Sequence, residues 1–168
     1  MTSFRAFIDR VLAAAISFLL ALMVASVLWQ VFTRFVINRP SSFTEEAVRY
    51  MMIWLGMLGA AYAAGQKSHL ALDLFTSQLQ GTRKRASEIF IQSAILVFAL
   101  VVLIGGGVRL VWIQLALGQL SAALQVKLGY VYLAVPLAGM FISIYSILSL
   151  ADTLRNRNVE AKPAGELN

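Results

Sequence analysis

The sequence has no cysteine and a single histidine among its 168 residues. Without cysteine there is no disulfide, no thiol nucleophile and no thiolate metal site. The lone histidine, His69, cannot supply the paired axial ligands of a membrane haem, and by itself it leaves a zinc ion short of ligands. Charge is scarce too: 13% of residues are charged, where soluble domains carry about a quarter. No HExxH, no GxSxG and no combined Ser, His and Asp set is present, and no Gly-Lys-Ser/Thr follows the glycine triplet at 105–107. The sequence therefore predicts no catalytic residue, no cofactor and no metal site, and the protein is not expected to be an enzyme. No acidic residue sits at the centre of an apolar run and the runs show no two-fold repeat, which disfavours a self-sufficient ion-coupled carrier.

What the chain has in excess is hydrophobic length. Sixty per cent of it is hydrophobic, and cutting at the charges leaves uncharged runs at 11–33, 50–66, 89–108 and 128–151, of 23, 17, 20 and 24 residues. Crossing roughly 30 Å of hydrocarbon takes about 20 helical residues. The second run is short only because Arg49 interrupts it, and a long arginine near a helix end snorkels to the headgroups, so that helix is expected to start near Thr44. The expected fold is all-α: an integral membrane protein of four transmembrane helices at about 11–35, 44–66, 88–112 and 128–151, forming one domain over 1–152, with a polar tail at 153–168. The first run continues for 23 residues into Trp29 and Phe32, which reads as a retained span and not as a removed signal peptide.

The net charge of +6 reports topology, with no nucleic-acid partner implied. Arg5, Arg10, Lys67, Arg83, Lys84, Arg85, Arg155, Arg157 and Lys162 lie in the N-terminal lead, the second connection and the tail. The first and third connections hold only Arg34, Arg39 and Lys127. The positive-inside rule then puts both termini in the cytoplasm, as an even number of spans allows.

The connections carry their own expectations. Leu72, Phe75 and Leu79 share a helical face, predicting a short interfacial helix between helices 2 and 3 over 70–80, ahead of a basic turn. His69 reads as a headgroup-level residue or helix cap, with a pH sensor as the alternative. Gly105, Gly106 and Gly107 are read as a close approach of another helix. Arg109 falls near the outer end, where snorkelling is cheap. Residues 110–126, again uncharged, either continue helix 3 into an outer loop or form a tilted or half-inserted segment. Pro136 should kink the last helix.

The second run is the one with a pattern. At about 100° per residue, Glu45, Arg49, Met52, Gly56, Ala60, Ala63 and Lys67 share one stripe. Gly56-x-x-x-Ala60-x-x-x-Ala64, flanked by Gly59 and Ala63, is the small-xxx-small arrangement that lets two helix backbones approach closely in lipid. Ser42 or Thr44 is expected to cap this helix, with Glu45 and Glu46 in its first turn. The pair reads first as a cap with a Glu45–Arg49 i,i+4 ion pair, then as a register device for a partner, and last as an ion site. The predicted partner interface is Glu45, Glu46, Arg49, Gly56, Gly59, Ala60 and Ala63. The same stripe would be a homomeric contact if the chain were a small self-assembling channel or exporter, the alternative reading.

The Glu45-Glu46 pair with Arg49, the run Trp54-Leu55-Gly56-x-x-Gly59-Ala60-Ala61, and His69 with Asp73 together resemble the small permease subunit of tripartite ATP-independent periplasmic (TRAP) transporters, the DctQ-like family. Ser121-Ala122-Ala123-Leu124, continuing through Tyr132 to Pro136-Leu137-Ala138-Gly139, is similar to the family's approach to its fourth helix. Lys127-Leu128-Gly129 departs from the family, where an apolar residue followed by Trp is expected. The resemblance implies a multi-pass subunit of the bacterial inner membrane, partnered by a large TRAP permease subunit and served by a periplasmic solute-binding protein. It implies import of an organic anion, a dicarboxylate, keto acid or sugar acid, usually coupled to sodium. Substrate and sodium would bind the large subunit, with the small one as scaffold.

Overall fold

In lipid every backbone N–H and C=O needs a partner within the protein, so long apolar runs fold as helices. The computed structural model describes residues 2–38, 41–76 and 82–160, with side chains placed over 5–38, 41–66 and 86–153. Six α-helices appear in these residues: α1 Thr2–Phe35, α2 Ser42–Thr76, α3 Thr82–Phe98, α4 Gly107–Ala116, α5 Leu128–Tyr132 and α6 Ala134–Glu160. A π-helical stretch, Ala99–Gly106, joins α3 to α4. They make four segments long and apolar enough to cross a membrane, Arg5–Phe35, Ser42–Gln66, Ala86–Ala116 and Leu128–Thr153.

The helices overrun the charges that bounded the uncharged runs. Arg5, Asp9 and Arg10 all lie within α1, because a charge at a helix end can reach water without ending the helix. Residues 70–76, predicted as part of a separate interfacial helix, are the last turns of an unbroken α2. Residues 77–81, and the side chains of His69 and of the basic residues at 83–85, lie outside those described. Helix α6 continues to Glu160, into the segment read as tail, and 161–168 lie outside the described residues.

Helix α6 is central. Within the span Leu128–Thr153, to which it belongs, half of an 18-residue apolar stretch is buried, against 6–11% of the matching stretches in the other three spans. It packs on α2 at one side and on α3 with the π-helical stretch at the other, while α1 packs on α2. The helices thus stand in an open row, α1, α2, α6, then the third span, with α1 and the third span exposed along wide apolar faces.

Two features set the seam between α6 and the third span. A Cβ at Gly139 would lie 2.7 Å from the Leu103 Cβ and 3.2 Å from the Ile104 backbone nitrogen, and one at Gly107 would lie 2.9 Å from the Pro136 Cδ. Backbones approach closely here because these residues have no side chain. Of the glycine triplet only Gly107 makes this contact: Gly106 has nothing within 4 Å, and Gly105 meets only the Leu100 carbonyl of its own turn. The proline effect falls where expected, with the last span broken at Leu133 between α5 and α6. Pro136 offers no N–H to the Tyr132 carbonyl and its ring crowds that turn.

At the end of the row that carries α1's first residues, Arg5 Nη2 donates to the Gly65 carbonyl at 2.5 Å and the Tyr145 hydroxyl donates to Asp9 Oδ1. The Arg5 guanidinium also lies over the Tyr145 ring, 5.9 Å from its centroid. Beneath this knot Ile8, Leu12, Leu58 and Tyr145 form a buried cluster, with Trp54 and Tyr62 packed against it. Trp54 is thus a packing residue. Gly65 allows the arrangement, since a Cβ there would fall 2.7 Å from the Tyr145 ring.

Candidate partner interface

Helix α2 begins after Ser41, one residue before Ser42 and three before Thr44, the two predicted caps. Ser41 Oγ accepts the Thr44 N–H at 3.4 Å, and its carbonyl accepts from the Thr44 hydroxyl at 3.0 Å and the Glu45 N–H at 3.3 Å. Serine suits this position because its side-chain oxygen replaces an intrahelical partner for one of the first N–H groups. With the start fixed there, the helical repeat turns Glu45, Arg49, Met52, Gly56 and Ala60 to the outside of the row, where all five are exposed. Gly59 and Ala63 lie at the edge of the stripe, half-buried. No atom of the described chain comes within 4 Å of where a Cβ would stand at Gly56 or Gly59. The stripe is therefore a shallow strip of exposed backbone on α2, covered by no described element of this chain.

At the head of the stripe Glu45 and Arg49 are paired at 3.6 Å, with side chains 60% and 65% exposed. At that exposure an i,i+4 pair contributes about 0.3–0.5 kcal/mol to the helix. The pair places one charge of each sign beside an apolar strip.

Glu46 parts company with its neighbour. One residue on, it is rotated about 100° and faces the connection between α4 and α5. Its Oε1 accepts the Tyr50 hydroxyl at 2.6 Å and the Ala122 N–H at 3.1 Å, and its Oε2 accepts the N–H groups of Ala123 at 2.6 Å and Leu124 at 3.0 Å. Residues 121–125 form one tight turn, in which Gln125 N–H donates to the Ser121 carbonyl at 3.2 Å and Ser121 N–H to the Val126 carbonyl at 2.9 Å. A single turn leaves its first N–H groups without internal acceptors. Here they converge on one carboxylate, and bonds to an ionised acceptor are stronger than neutral ones. Glu46 is thus an intrachain clasp between α2 and the 117–127 connection. Of the seven residues predicted for the interface, the structure puts six on one open face and directs the seventh inward.

Sequence reasoning missed this clasp, along with Tyr50, Ser121 and the Asp9–Tyr145 contact. The i,i+4 spacing of Glu46 and Tyr50 was a usable local signal. Nothing local announces a partner 76 to 78 residues away.

Comparison with known proteins agrees with a membrane subunit of this build. A family model described as the DctQ component of tripartite ATP-independent periplasmic transporters matches residues 23–156. The chain is 27% identical over 154 residues to a Haemophilus influenzae protein described as a TRAP transporter small permease protein, covering 92% of this chain and 94% of that one. It is 29% identical over 79 residues to the sialic acid TRAP transporter small permease protein SiaQ of Vibrio cholerae, covering 47% of this chain and 46% of that one.

Proposed function

Since the chain belongs to the DctQ family, the small permease component of TRAP transporters, we propose that it acts as the fixed scaffold on which a larger permease subunit docks through the open stripe of α2. A small permease is a transport component and not an enzyme. The observation that carries the proposal is the uncovered Gly56, Gly59 and Ala60 strip, headed by Glu45 and Arg49. Apolar burial against water does not drive helix association in lipid, so an exposed run of small residues is useful chiefly where another backbone packs on it. Ala63 extends the strip, and Glu46 acts behind it by holding the neighbouring connection.

In the complete transporter a periplasmic solute-binding protein delivers an organic anion, and a sodium gradient drives import through the large subunit. The substrate belongs with dicarboxylates, keto acids and sugar acids, a class that includes the sialic acid named for the Vibrio relative. The complex lies in the bacterial inner membrane with both termini of this chain cytoplasmic, a reading supported by the basic residues at Arg5 and Arg10 and in the second connection.

The test is copurification of the tagged chain with its large subunit, for the wild type and for Gly56→Leu and Ala60→Leu. Both variants should insert and remain folded, since a Cβ at Gly56 has no described atom of this chain within 4 Å and Ala60 is exposed, but should lose the large subunit and uptake. Normal copurification and uptake in both would refute the docking face. Recovery of this chain alone, as a defined oligomer that passes ions, would put the self-assembling channel in its place.

A further inference from the structure

We propose that residues 117–127 form a membrane-seated loop: an irregular segment lodged in the phospholipid headgroup layer, with Leu117, Leu120 and Val126 turned to lipid and its backbone donors closed off by Glu46. The inference rests on the four spans and is independent of which protein docks on α2.

Depth is the first argument. Counting about 20 residues, or 30 Å, back along the last span from Ala151, the last uncharged residue before Asp152, runs through α6 and across the break at Leu133 to Tyr132 at the end of α5. The same count along α2 from Gln66, the last before Lys67, reaches Ala47, next to Glu46. Glu46 and Tyr132 therefore both mark the far boundary of the hydrocarbon. The loop is bound to that level directly, because the N–H groups of Ala122, Ala123 and Leu124 hydrogen-bond the Glu46 carboxylate. Helix α4 passes Arg109 and runs on to Ala116, about 10 Å further at 1.5 Å per residue. The chain then folds back toward the membrane to reach Glu46.

Surface chemistry is the second. From 110 to 126 there is no charged residue. Leu117, Leu120 and Val126 are 64%, 52% and 40% exposed, and they continue the exposed apolar surface of α4 at Trp112 and Leu115 and of α5 at Tyr130. Trp and Tyr flanking such a patch are the residue types that anchor at the headgroup level.

Backbone satisfaction is the third. Irregular chain at membrane depth is tolerated only where its polar groups find partners in the protein. From Ser121 to Gln125 every backbone N–H is bonded within the chain, three of them to Glu46. The Gln125 side chain donates to the Ala122 carbonyl at 3.1 Å. A loop standing in water would gain little from this closure; a loop among headgroups depends on it. Glu46 is the positioning residue, and its own charge at the hydrocarbon boundary is met by four donors.

The absence of cysteine makes the test direct. Leu120→Cys in the full chain takes a single nitroxide label, and the protein is reconstituted in phosphatidylethanolamine–phosphatidylglycerol vesicles. Collision of the label with oxygen should exceed collision with a water-soluble nickel chelate, placing it at shallow membrane depth. Adding Glu46→Gln should shift that balance several-fold toward the chelate, whereas Glu45→Gln should leave it unchanged. A label that prefers the chelate in the parent chain would place the loop in water and overturn the proposal. A label shielded from both reagents would show a protein covering the loop, and would overturn it equally. Should Glu46→Gln fail to insert, the parent L120C measurement still decides.

Discussion

Replacing Gly139 by alanine tests the close seam between α6 and the third span, and its cost can be worked from the contact geometry. The added Cβ would stand 2.7 Å from the Leu103 Cβ and 3.0 Å from the Ile104 Cγ1. Ordinary carbon contacts lie at about 3.5–4.0 Å, so the methyl intrudes by roughly 1 Å. A Cβ is fixed to its backbone, so Leu103 cannot turn aside and the two helices must separate. Overpacking of this kind costs about 1–3 kcal/mol. It also loosens Gly107 against Pro136 one turn away. The control is Gly106→Ala, at a site with nothing within 4 Å. There alanine should be neutral or stabilising by up to about 1 kcal/mol, from helix propensity alone. Equilibrium unfolding in mixed micelles, followed by circular dichroism, should rank G139A below wild type and G106A level with it or above. Equal stability of G139A and G106A would refute the claim that backbone contact at Gly139 sets this seam.

Three smaller predictions follow from named contacts. Tyr145→Phe removes the hydroxyl from Asp9 and should cost about 1.5 kcal/mol in the same unfolding assay, the low end of the range for a hydrogen bond to a charged group; no change would mean that the contact does not hold α1 to α6. Gly65→Val places side-chain atoms where the Tyr145 ring lies, and should expose the N-terminal part of α1 to limited proteolysis in the membrane; an unaltered digestion pattern would speak against the knot. Gln92→Leu breaks the 3.0 Å bond from Nε2 to Ser149 Oγ, yet should cost only about 0.6 kcal/mol, as interhelical hydrogen bonds in lipid average no more; a loss of several kcal/mol would show a wider polar network.

The four spans were legible because charge and apolar length report them directly, and the break near Pro136 because a missing N–H is a local fact. The α2 stripe was legible for a similar reason, being a single helix read at its own period. Helix ends were less so. Asp9 and Arg5 looked like reasons to start α1 later, whereas they are tied within it by Tyr145 and the Gly65 carbonyl. Ser41 was passed over as cap because Ser42 and Thr44 have the same chemistry, and only the backbone decides among them. The Glu46 clasp was hidden for a deeper reason: its partners are backbone N–H groups, which every residue type carries, so no side-chain pattern at 122–124 could mark them.

The glycines supply an independent argument about the open face. In a helix each glycine costs about 1 kcal/mol relative to alanine in water, and the seam shows what one can gain in return. Gly65, Gly107 and Gly139 each admit a group that a Cβ would displace, and so join α2 to α6 and α6 to the third span. Among the described residues, Gly56, Gly59, Gly105 and Gly106 admit nothing from another helix. Gly105 and Gly106 stand at the close of the π-helical stretch, where the chain returns to α-helical winding. Gly56 and Gly59 lie inside regular helix, in register with exposed Met52 and Ala60, and no local geometry of α2 calls for them. On the docking proposal their use is that of Gly139 on α6, with the second backbone belonging to the large subunit. The contrast also predicts opposite behaviour: leucine at Gly56 should spare folding and remove the partner, while alanine at Gly139 should weaken folding first.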